Sequence, residues 1–182
     1  EIYSILNINF RNYNYISQFE EGEKFDIIVG NPPYVERTKT DYMELMNYGN
    51  TYADVMQNSI KLLKSSGILG FIIPLSYVST ARMKPLRKFI EENTGYQYIL
   101  NYNDRPDCLF SKVHQKLSII FCKKNISKQH NLFTSDYKYW YKKERCDLFL
   151  NNDVVLNENR FEEFYSKIGT EMENQIFSKV IK

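Results

Sequence analysis

Two consecutive prolines directly after an apolar run constrain this chain more than any other feature of its sequence. The run is Phe25-Asp26-Ile27-Ile28-Val29, and Gly30 leads from it into Asn31-Pro32-Pro33-Tyr34. A short, mostly apolar run bounded by turn-forming residues is typical of a buried strand in a parallel sheet. Because proline lacks an N–H and fixes φ, the chain must leave the sheet after this run in a stiff, extended form.

The segment Asn31–Tyr34 offers hydrogen-bond acceptors and few competing donors. The Asn31 side-chain oxygen and the Pro32 carbonyl can together receive both hydrogens of one planar amino group, and Tyr34 can stack on the ring that carries it. Two such acceptors localise the nitrogen lone pair and stabilise the positive charge that develops as the nitrogen attacks a methyl group. The pattern therefore favours methylation of an exocyclic amine, and the alternative is a rigid strand exit capped by Asn31.

Apolar segments alternate along the rest of the chain with the periods of strands and helices. A strand is predicted at Ile2–Ile8, and Thr51 with Asp54 resembles a capping box that begins a helix ending at Ser65-Ser66-Gly67. The later predictions are a strand at Ile68–Ile73, a helix at Arg82–Glu92, strands at Tyr98–Tyr102 and Leu117–Cys122, and a short amphipathic helix around Phe161, Phe164, Tyr165 and Ile168. This order indicates an α/β fold, the second half of a doubly wound sheet that ends in an antiparallel hairpin.

The run Phe25–Val35 resembles motif IV of the adenine-N6 DNA methyltransferases that use S-adenosylmethionine, especially those of restriction-modification systems. Tyr52-Ala53-Asp54 through Phe71-Ile72-Ile73-Pro74 is similar to the helix and strand that follow motif IV in that family. Leu109-Phe110 and the segment Leu117–Lys123 resemble the family's last hairpin. The resemblance covers about residues 5–124 and implies a Rossmann-like methyltransferase sheet.

The resemblance also implies roles for individual residues. Asn31 and Pro32 would bind the target amino group, with Pro33 beside them, and Tyr34 would stack on an adenine flipped out of the duplex. Phe110 would close the pocket. Flipping is needed because the amino group of a paired adenine faces its partner base.

The cofactor loop of that family has no counterpart here, since none of the seven glycines forms a Gly-x-Gly pair. We therefore expect that the cofactor half is absent, that most of the S-adenosylmethionine site precedes Glu1, and that the 182 residues are inactive alone. The family's acidic contact to the cofactor falls near Asn9, which would supply an amide oxygen instead. Loss of the neighbouring strand would expose the edge of the Phe25–Val29 strand and favour self-association.

Charge is distributed unevenly along the chain. Residues 1–60 carry 4 basic and 9 acidic side chains, whereas residues 105–145 carry 10 basic and 3 acidic ones, interleaved with aromatic residues. Basic side chains beside aromatic rings that can stack on bases are typical of nucleic-acid contacts. Lys138, Lys142 and Lys143 are the predicted contacts to double-stranded DNA. The prediction divides the chain into a partial methyltransferase domain at 1–130 and an extension at 131–182 that leads toward a target-recognition region.

Several classes of protein are excluded by composition. No apolar run approaches the roughly 20 residues of a membrane span, and the first residues lack the pattern of a signal peptide, so a cytoplasmic protein is expected. Three widely spaced cysteines fit neither a disulfide framework nor a zinc knuckle. His114 and His130 have no companions at the spacing of metal ligands, so no metal site is predicted.

Three alternatives stay open at the level of sequence. Protein glutamine methyltransferases and ribosomal RNA guanine methyltransferases also use Asn-Pro-Pro-Tyr, because an amide or a guanine amino group has an equally delocalised lone pair. A non-catalytic DNA-binding or specificity subunit would need only the basic, aromatic stretch Lys112–Arg145. A restriction endonuclease or a specificity subunit is the further expected partner of an adenine methyltransferase.

Overall fold

A computed structural model describes residues 22, 24–36, 48–125, 129–150, 152–158, 161 and 163–180. The predicted strand Ile2–Ile8 lies outside these residues. The elements are β1 (Phe25–Gly30), α1 (Thr51–Leu62), β2 (Leu63–Pro74), α2 (Ser76–Ser79), a 3₁₀ turn (Ala81–Met83), α3 (Lys84–Asn93), β3 (Tyr96–Tyr102), β4 (Leu117–Lys123), β5 (Asn131–Lys138), a 3₁₀ turn (Lys142–Glu144), β6 (Val155–Leu156) and α4 (Glu171–Val180). Within the same residues, no helix has the length and apolar character needed to cross a membrane.

The strands form one sheet in the order β1-β2-β4-β3-β5-β6. β1 runs parallel to β2, and β3 runs parallel to β5. β4 lies between β2 and β3 and is antiparallel to both. The carboxyl ends of β1, β2, β3 and β5 therefore meet at one edge of the sheet, where ligands of α/β proteins bind. The α/β class and the antiparallel β3–β4 hairpin are both confirmed.

β1 forms at the predicted residues and has the predicted parallel pairing. The expectation that this strand is buried was wrong. It is the edge strand of the described sheet, and Ile27 and Val29 are 64% and 71% exposed. Ile28 points to the opposite face and is buried in the main core. Alternation along a strand explains the difference, because α1 and α3 contribute to the core on only one face of the sheet.

The helix α1 begins as predicted at Thr51, but Thr51 is not its N-cap. Asn50 is the N-cap, and its side chain accepts a hydrogen bond from the N–H of Tyr52. β2 then begins at Leu63, earlier than the predicted Ile68, because the chain turns directly from helix to strand without the predicted stop at Ser65-Ser66-Gly67. A Lys124 ammonium accounts for part of this turn: its Nζ donates to the carbonyls of Ile60 and Leu63 at 2.9 and 2.8 Å.

The residues beyond the predicted boundary at 130 continue the same sheet. β5 pairs with β3, and Tyr165 is buried in the main core beside Tyr77. The amphipathic helix predicted around Phe161–Ile168 was wrong: Tyr165 lies in an extended segment whose N–H donates to the carbonyl of Val78 at 3.0 Å. Tertiary pairing to α2 stabilises this segment in place of helical hydrogen bonds.

Helix α4 (Glu171–Val180) has a start signal that the sequence does carry. Thr170 and Glu173 form a reciprocal cap. The N–H of Glu173 donates to the Thr170 hydroxyl at 3.2 Å, and the N–H of Thr170 donates to the Glu173 carboxylate at 3.0 Å. Thr-x-x-Glu is the spacing of a capping box. The helix can therefore be found from sequence, although the aromatic pattern upstream of it suggested a different helix.

Candidate active site

The Asn31–Tyr34 segment lies directly after β1, at the edge of the sheet where the parallel strands end. Gly30 is the last residue of β1 and pairs with Phe71 of β2. The segment Asn31–Tyr34, here called the corner, therefore begins beside the end of the neighbouring strand. Asn31 and Pro33 are exposed, Pro32 is buried and Tyr34 is half-buried. The structure thus brings the four predicted residues to the carboxyl ends of β1 and β2.

Tyr34 is fixed by contacts of both its hydroxyl and its ring. The hydroxyl donates to the carbonyl of Ile72 at 2.9 Å and is also hydrogen-bonded to the Asn31 side-chain oxygen. The ring packs edge-on against Tyr52, with centroids 6.2 Å apart. Burial raises the pKa of Tyr34 to about 12. The phenol therefore stays protonated at neutral pH and remains a donor.

One phenolic proton faces two acceptors in this arrangement. Tyr34 can donate to the Ile72 carbonyl or to the Asn31 oxygen, but a hydroxyl has a single proton to give. Rotation of the Asn31 amide by 180° removes the competition, because its NH₂ group then donates to the Tyr34 oxygen. In that orientation the Asn31 oxygen points away from Tyr34 and is open to an incoming amino group.

The backbone after the two prolines is paired with the start of α1. The Thr51 hydroxyl donates to the Pro33 carbonyl and accepts from the N–H of Val35 at 3.0 Å. The N–H of Thr51 in turn donates to the Val35 carbonyl at 3.0 Å. The Pro32 carbonyl accepts no hydrogen bond from the residues that the structure describes, which is uncommon for a buried residue. It is therefore an acceptor that a bound amino group can complete.

A cleft of about 580 Å³ opens beside Tyr34. The segments around the ends of β1 and β2 and the loop between β3 and β4 form its walls, with the following lining residues: Tyr34, Glu36, Asn50, Pro74, Leu75, Ser76, Ser79, Thr80, Arg82, Asp104, His114, Gln115 and Lys116. Arg82 and Glu36 form a 3.5 Å ion pair between two of these walls. The volume lies within the range of small-molecule sites. Tyr34 lines this cleft, whereas Asn31, Pro32 and Pro33 do not.

Phe110 is half-buried in a tight turn, where it forms an isolated bridge with Val113. It packs against a second apolar cluster at the ends of β3 and β4, formed by Tyr102, Leu109, Leu117, Trp140 and Leu148. Tyr34 packs against the same cluster. The structure therefore brings the predicted stacking residue and the predicted closing residue to one cluster, although Phe110 does not line the cleft.

Arg145 was predicted only as part of a basic stretch, and the structure gives it a local role. Its guanidinium donates to the carbonyls of Cys108 and Leu109 and lies 5.5 Å from the centroid of the Trp140 ring. These contacts support the turn that carries Phe110. Nothing in the spacing of the sequence signals them, because they join segments that are 36 and 37 residues apart.

The three predicted DNA-contacting lysines differ in environment. Lys138 donates to the Asn152 side-chain oxygen at 2.7 Å, whereas Lys142 and Lys143 are exposed in the 3₁₀ turn. Their contact with DNA stays a prediction. Asn9, the predicted cofactor contact, lies outside the described residues. Among the residues that the structure does describe, no group of three or more His, Cys, Asp or Glu side chains is placed to hold a metal ion.

The glycines of the chain do not form the Gly-x-Gly pair of a cofactor loop. Two of the described glycines serve close packing: a Cβ on Gly70 would meet Phe121 at 3.3 Å, and one on Gly169 would meet Asp136 at 2.5 Å. A Cβ on Gly49 would meet nothing nearer than Arg82 at 3.9 Å. The glycine-rich turn expected for the methyl donor is therefore not among the described residues.

Comparison with known proteins finds relatives among restriction-modification methylases. The Eco57I restriction-modification methylase family matches residues 3–108. The type II restriction enzyme and methyltransferase RM.Eco57I of Escherichia coli is 25% identical over 79% of this chain, and the modification methylase CviBIII of Paramecium bursaria Chlorella virus NC1A is 37% identical over 48%. The chain spans only 15% and 24% of the lengths of these two relatives.

Solved structures show the same fold. A nuclease-deletion mutant of the Type ISP restriction-modification enzyme LlaGI, in complex with a DNA substrate mimic, superposes with a TM-score of 0.60 over 75% of this chain and 15% of its own, at 18% identity. A class I S-adenosylmethionine-dependent methyltransferase of Listeria monocytogenes superposes with a TM-score of 0.51 over 74% of this chain and 43% of its own, at 14% identity. At such identities the likeness concerns the fold alone. The match over residues 3–108 covers more than half of the chain, which belongs to the Eco57I restriction-modification methylase family.

Proposed function

We propose that this chain is the amino-group-binding half of a DNA methyltransferase of a restriction-modification system, and that its target is N6 of a flipped adenine. The observation that supports it is the set of acceptors directly after β1. Thr51 engages the Pro33 carbonyl, whereas the Pro32 carbonyl accepts no hydrogen bond from the residues that the structure describes. The Asn31 oxygen accepts one hydrogen bond, from Tyr34, and an amide oxygen has two lone pairs. The Asn31 oxygen and the Pro32 carbonyl can therefore each take one hydrogen of an amino group.

S-adenosylmethionine would supply an electrophilic methyl group, and we propose that most of its binding site lies on sequence that precedes this chain. The lengths of the two relatives support this, as does the lack of a Gly-x-Gly pair in the sequence. The chain's own residues hold the amino nitrogen. Asn31 and Pro32 draw its lone pair out of the ring system, and Tyr34 covers the base. The nitrogen becomes acidic only after it has acquired the methyl group, so no strong base is needed beside it.

The test of this proposal is the chemical identity of the product. The full-length protein, incubated with duplex DNA and labelled S-adenosylmethionine, is expected to yield N6-methyladenine after digestion to nucleosides. Label on N4 of cytosine would support transfer to an amino group but contradict the adenine assignment, and label on C5 of cytosine would contradict both. Parallel reactions with ribosomal RNA or with protein in place of DNA test the alternative enzymes, which label in guanine or in glutamine would favour. No label in any reaction, with DNA binding retained, would favour a specificity subunit.

The exposed lysines of the 3₁₀ turn provide a separate prediction about DNA. If Lys142 and Lys143 meet phosphates, reversing both charges should weaken binding at every sequence and reduce the slope of log K against log salt by about 2. A double reversal at Lys88 and Lys179, two exposed lysines outside the basic stretch, changes the net charge by the same amount and is the control. An unchanged slope in the double variant would remove these two lysines from the interface.

The exposed edge of β1 supports a proposal about association. Ile27 and Val29 present apolar surface on a strand whose outer edge is paired with none of the described residues, so the 182-residue chain is expected to self-associate through this edge. Sedimentation of the wild-type chain and of Val29→Lys measures this directly. A monodisperse monomer for the wild type would contradict it.

A further inference from the structure

The Thr51 hydroxyl links the first turn of α1 to the backbone on the far side of the two prolines. It donates to the Pro33 carbonyl and accepts from the N–H of Val35, and the Thr51 N–H donates to the Val35 carbonyl. Thr51 is only 4% exposed. Three hydrogen bonds from one buried residue therefore hold the segment that leaves the corner.

The corner needs such support because its own backbone provides little. Pro32 and Pro33 have no N–H, so neither can hydrogen-bond to a neighbouring strand as a donor. The proline rings fix φ but leave ψ free to change. The pairing of Gly30 with β2 fixes the chain before the prolines, and Thr51 fixes it after them. With both ends held, the direction of the Pro32 carbonyl is also set.

Thr51 also decides which carbonyl is left for a substrate. Asn31, Pro32 and Pro33 place three acceptors in succession, and the Thr51 hydroxyl occupies the last of them. An amino group that enters the site therefore meets the Asn31 oxygen and the Pro32 carbonyl without competition from Pro33. The same contacts at Val35 hold the backbone of Tyr34, whose ring borders the cleft.

We propose that Thr51 is a positioning residue for the methyl-transfer site, which it orients through Pro33 and Val35 without touching the substrate. This inference rests on the proposed function, because it assigns the Pro32 carbonyl to the target amino group. The helix-capping function that its sequence position suggests belongs to Asn50, so capping does not account for the Thr51 hydroxyl.

The test compares threonine variants of the full-length protein. Thr51→Val keeps the shape and removes the hydroxyl, and kcat for methyl transfer is expected to fall by about 10- to 100-fold, the effect of a small misplacement of reacting groups. KM for DNA should change by less than about threefold, because Thr51 makes no contact that DNA binding requires. Thr51→Ser restores the hydroxyl and should restore kcat to within about threefold of wild type.

Thr134 offers a matched control at the other side of the sheet. Its hydroxyl is fully buried, donates to the Ile168 carbonyl at 2.7 Å and accepts from the Asn157 amide at 2.9 Å, so it makes the same number of side-chain hydrogen bonds as Thr51. Thr134→Val should lower the melting temperature about as much as Thr51→Val and leave kcat unchanged. Activities are compared at a temperature where circular dichroism shows every variant folded.

Each outcome has a defined meaning. Equal loss of melting temperature with wild-type kcat in Thr51→Val would overturn the proposal, and so would a Thr51→Ser variant as slow as Thr51→Val. Failure of both Thr51 variants to fold would make Thr51 a purely structural residue. If the wild type itself does not methylate an amino group, the proposed function fails and this inference fails with it; a methylating wild type beside an unaffected Thr51→Val refutes this inference alone.

Discussion

Replacing Asn31 with alanine is expected to lower kcat for methyl transfer by about 10²- to 10³-fold, the usual effect of removing one group that stabilises developing charge. The variant loses one of the two acceptors for the amino hydrogens, so the lone pair stays delocalised into the ring. DNA affinity should stay within about threefold of wild type, because an amide at the strand end is not a phosphate-binding cation. Methyl transfer and DNA binding are measured on the same preparation.

Two further substitutions separate the chemistry of Asn31 from its shape. Asn31→Asp keeps an acceptor oxygen at the same place and should retain more activity than Asn31→Ala. Asn93→Ala removes an amide that donates to the Phe89 carbonyl at 2.8 Å at the end of α3, and it should leave methyl transfer unchanged. Full activity in Asn31→Ala would contradict the assignment of this side chain to the amino group.

Tyr34 is expected to show two separable effects. Tyr34→Ala removes the ring and the hydroxyl, and kcat/KM should fall by at least about 10- to 100-fold, the equivalent of one lost base-stacking contact. Tyr34→Phe keeps the ring and removes only the hydroxyl that reaches Ile72 and Asn31. We expect this variant to retain base stacking, measured as fluorescence of a flipped 2-aminopurine, and to lose about tenfold in kcat.

The pKa of Tyr34 adds a pH criterion. Burial raises it to about 12, so the neutral phenol persists well above pH 10, where a free tyrosine ionises. The difference in kcat between wild type and Tyr34→Phe should therefore be constant from about pH 7 to pH 10. A wild-type advantage that disappears within that range would show that the hydroxyl ionises in the complex. Equal kcat for wild type and Tyr34→Phe at all pH values would contradict a positioning role for the Tyr34 hydroxyl.

The sequence predicts β1 and the segment after it well because their signals are local. An apolar run followed by two prolines has few possible structures, and the structure places that segment at the end of a parallel strand. The position of Thr51 was predicted, but its role was not. Its partners Pro33 and Val35 are 18 and 16 residues away, and no periodicity reports a hydrogen bond across that distance.

β5 shows why the remaining fold was harder to predict. Thr134 and Ser135 are buried in this strand, although both are polar. The sequence pattern of β5 is therefore not the apolar pattern of a buried strand. Their hydroxyls are satisfied by the Ile168 and Asp136 carbonyls, and the Ser135 oxygen also accepts from the N–H of Asn101. Burial of polar groups costs little when every group is paired, but the pairing depends on tertiary structure. Local patterns therefore predicted the segment after β1 and missed the long-range contacts that support it.

The most direct measurement is a structure of the full-length protein with duplex DNA and a non-reactive analogue of the methyl donor. We expect one adenine outside the duplex, with its N6 about 2.7–3.2 Å from both the Asn31 side-chain oxygen and the Pro32 carbonyl and with Tyr34 against its ring. A base held elsewhere, or an N6 atom that contacts neither oxygen, would contradict it.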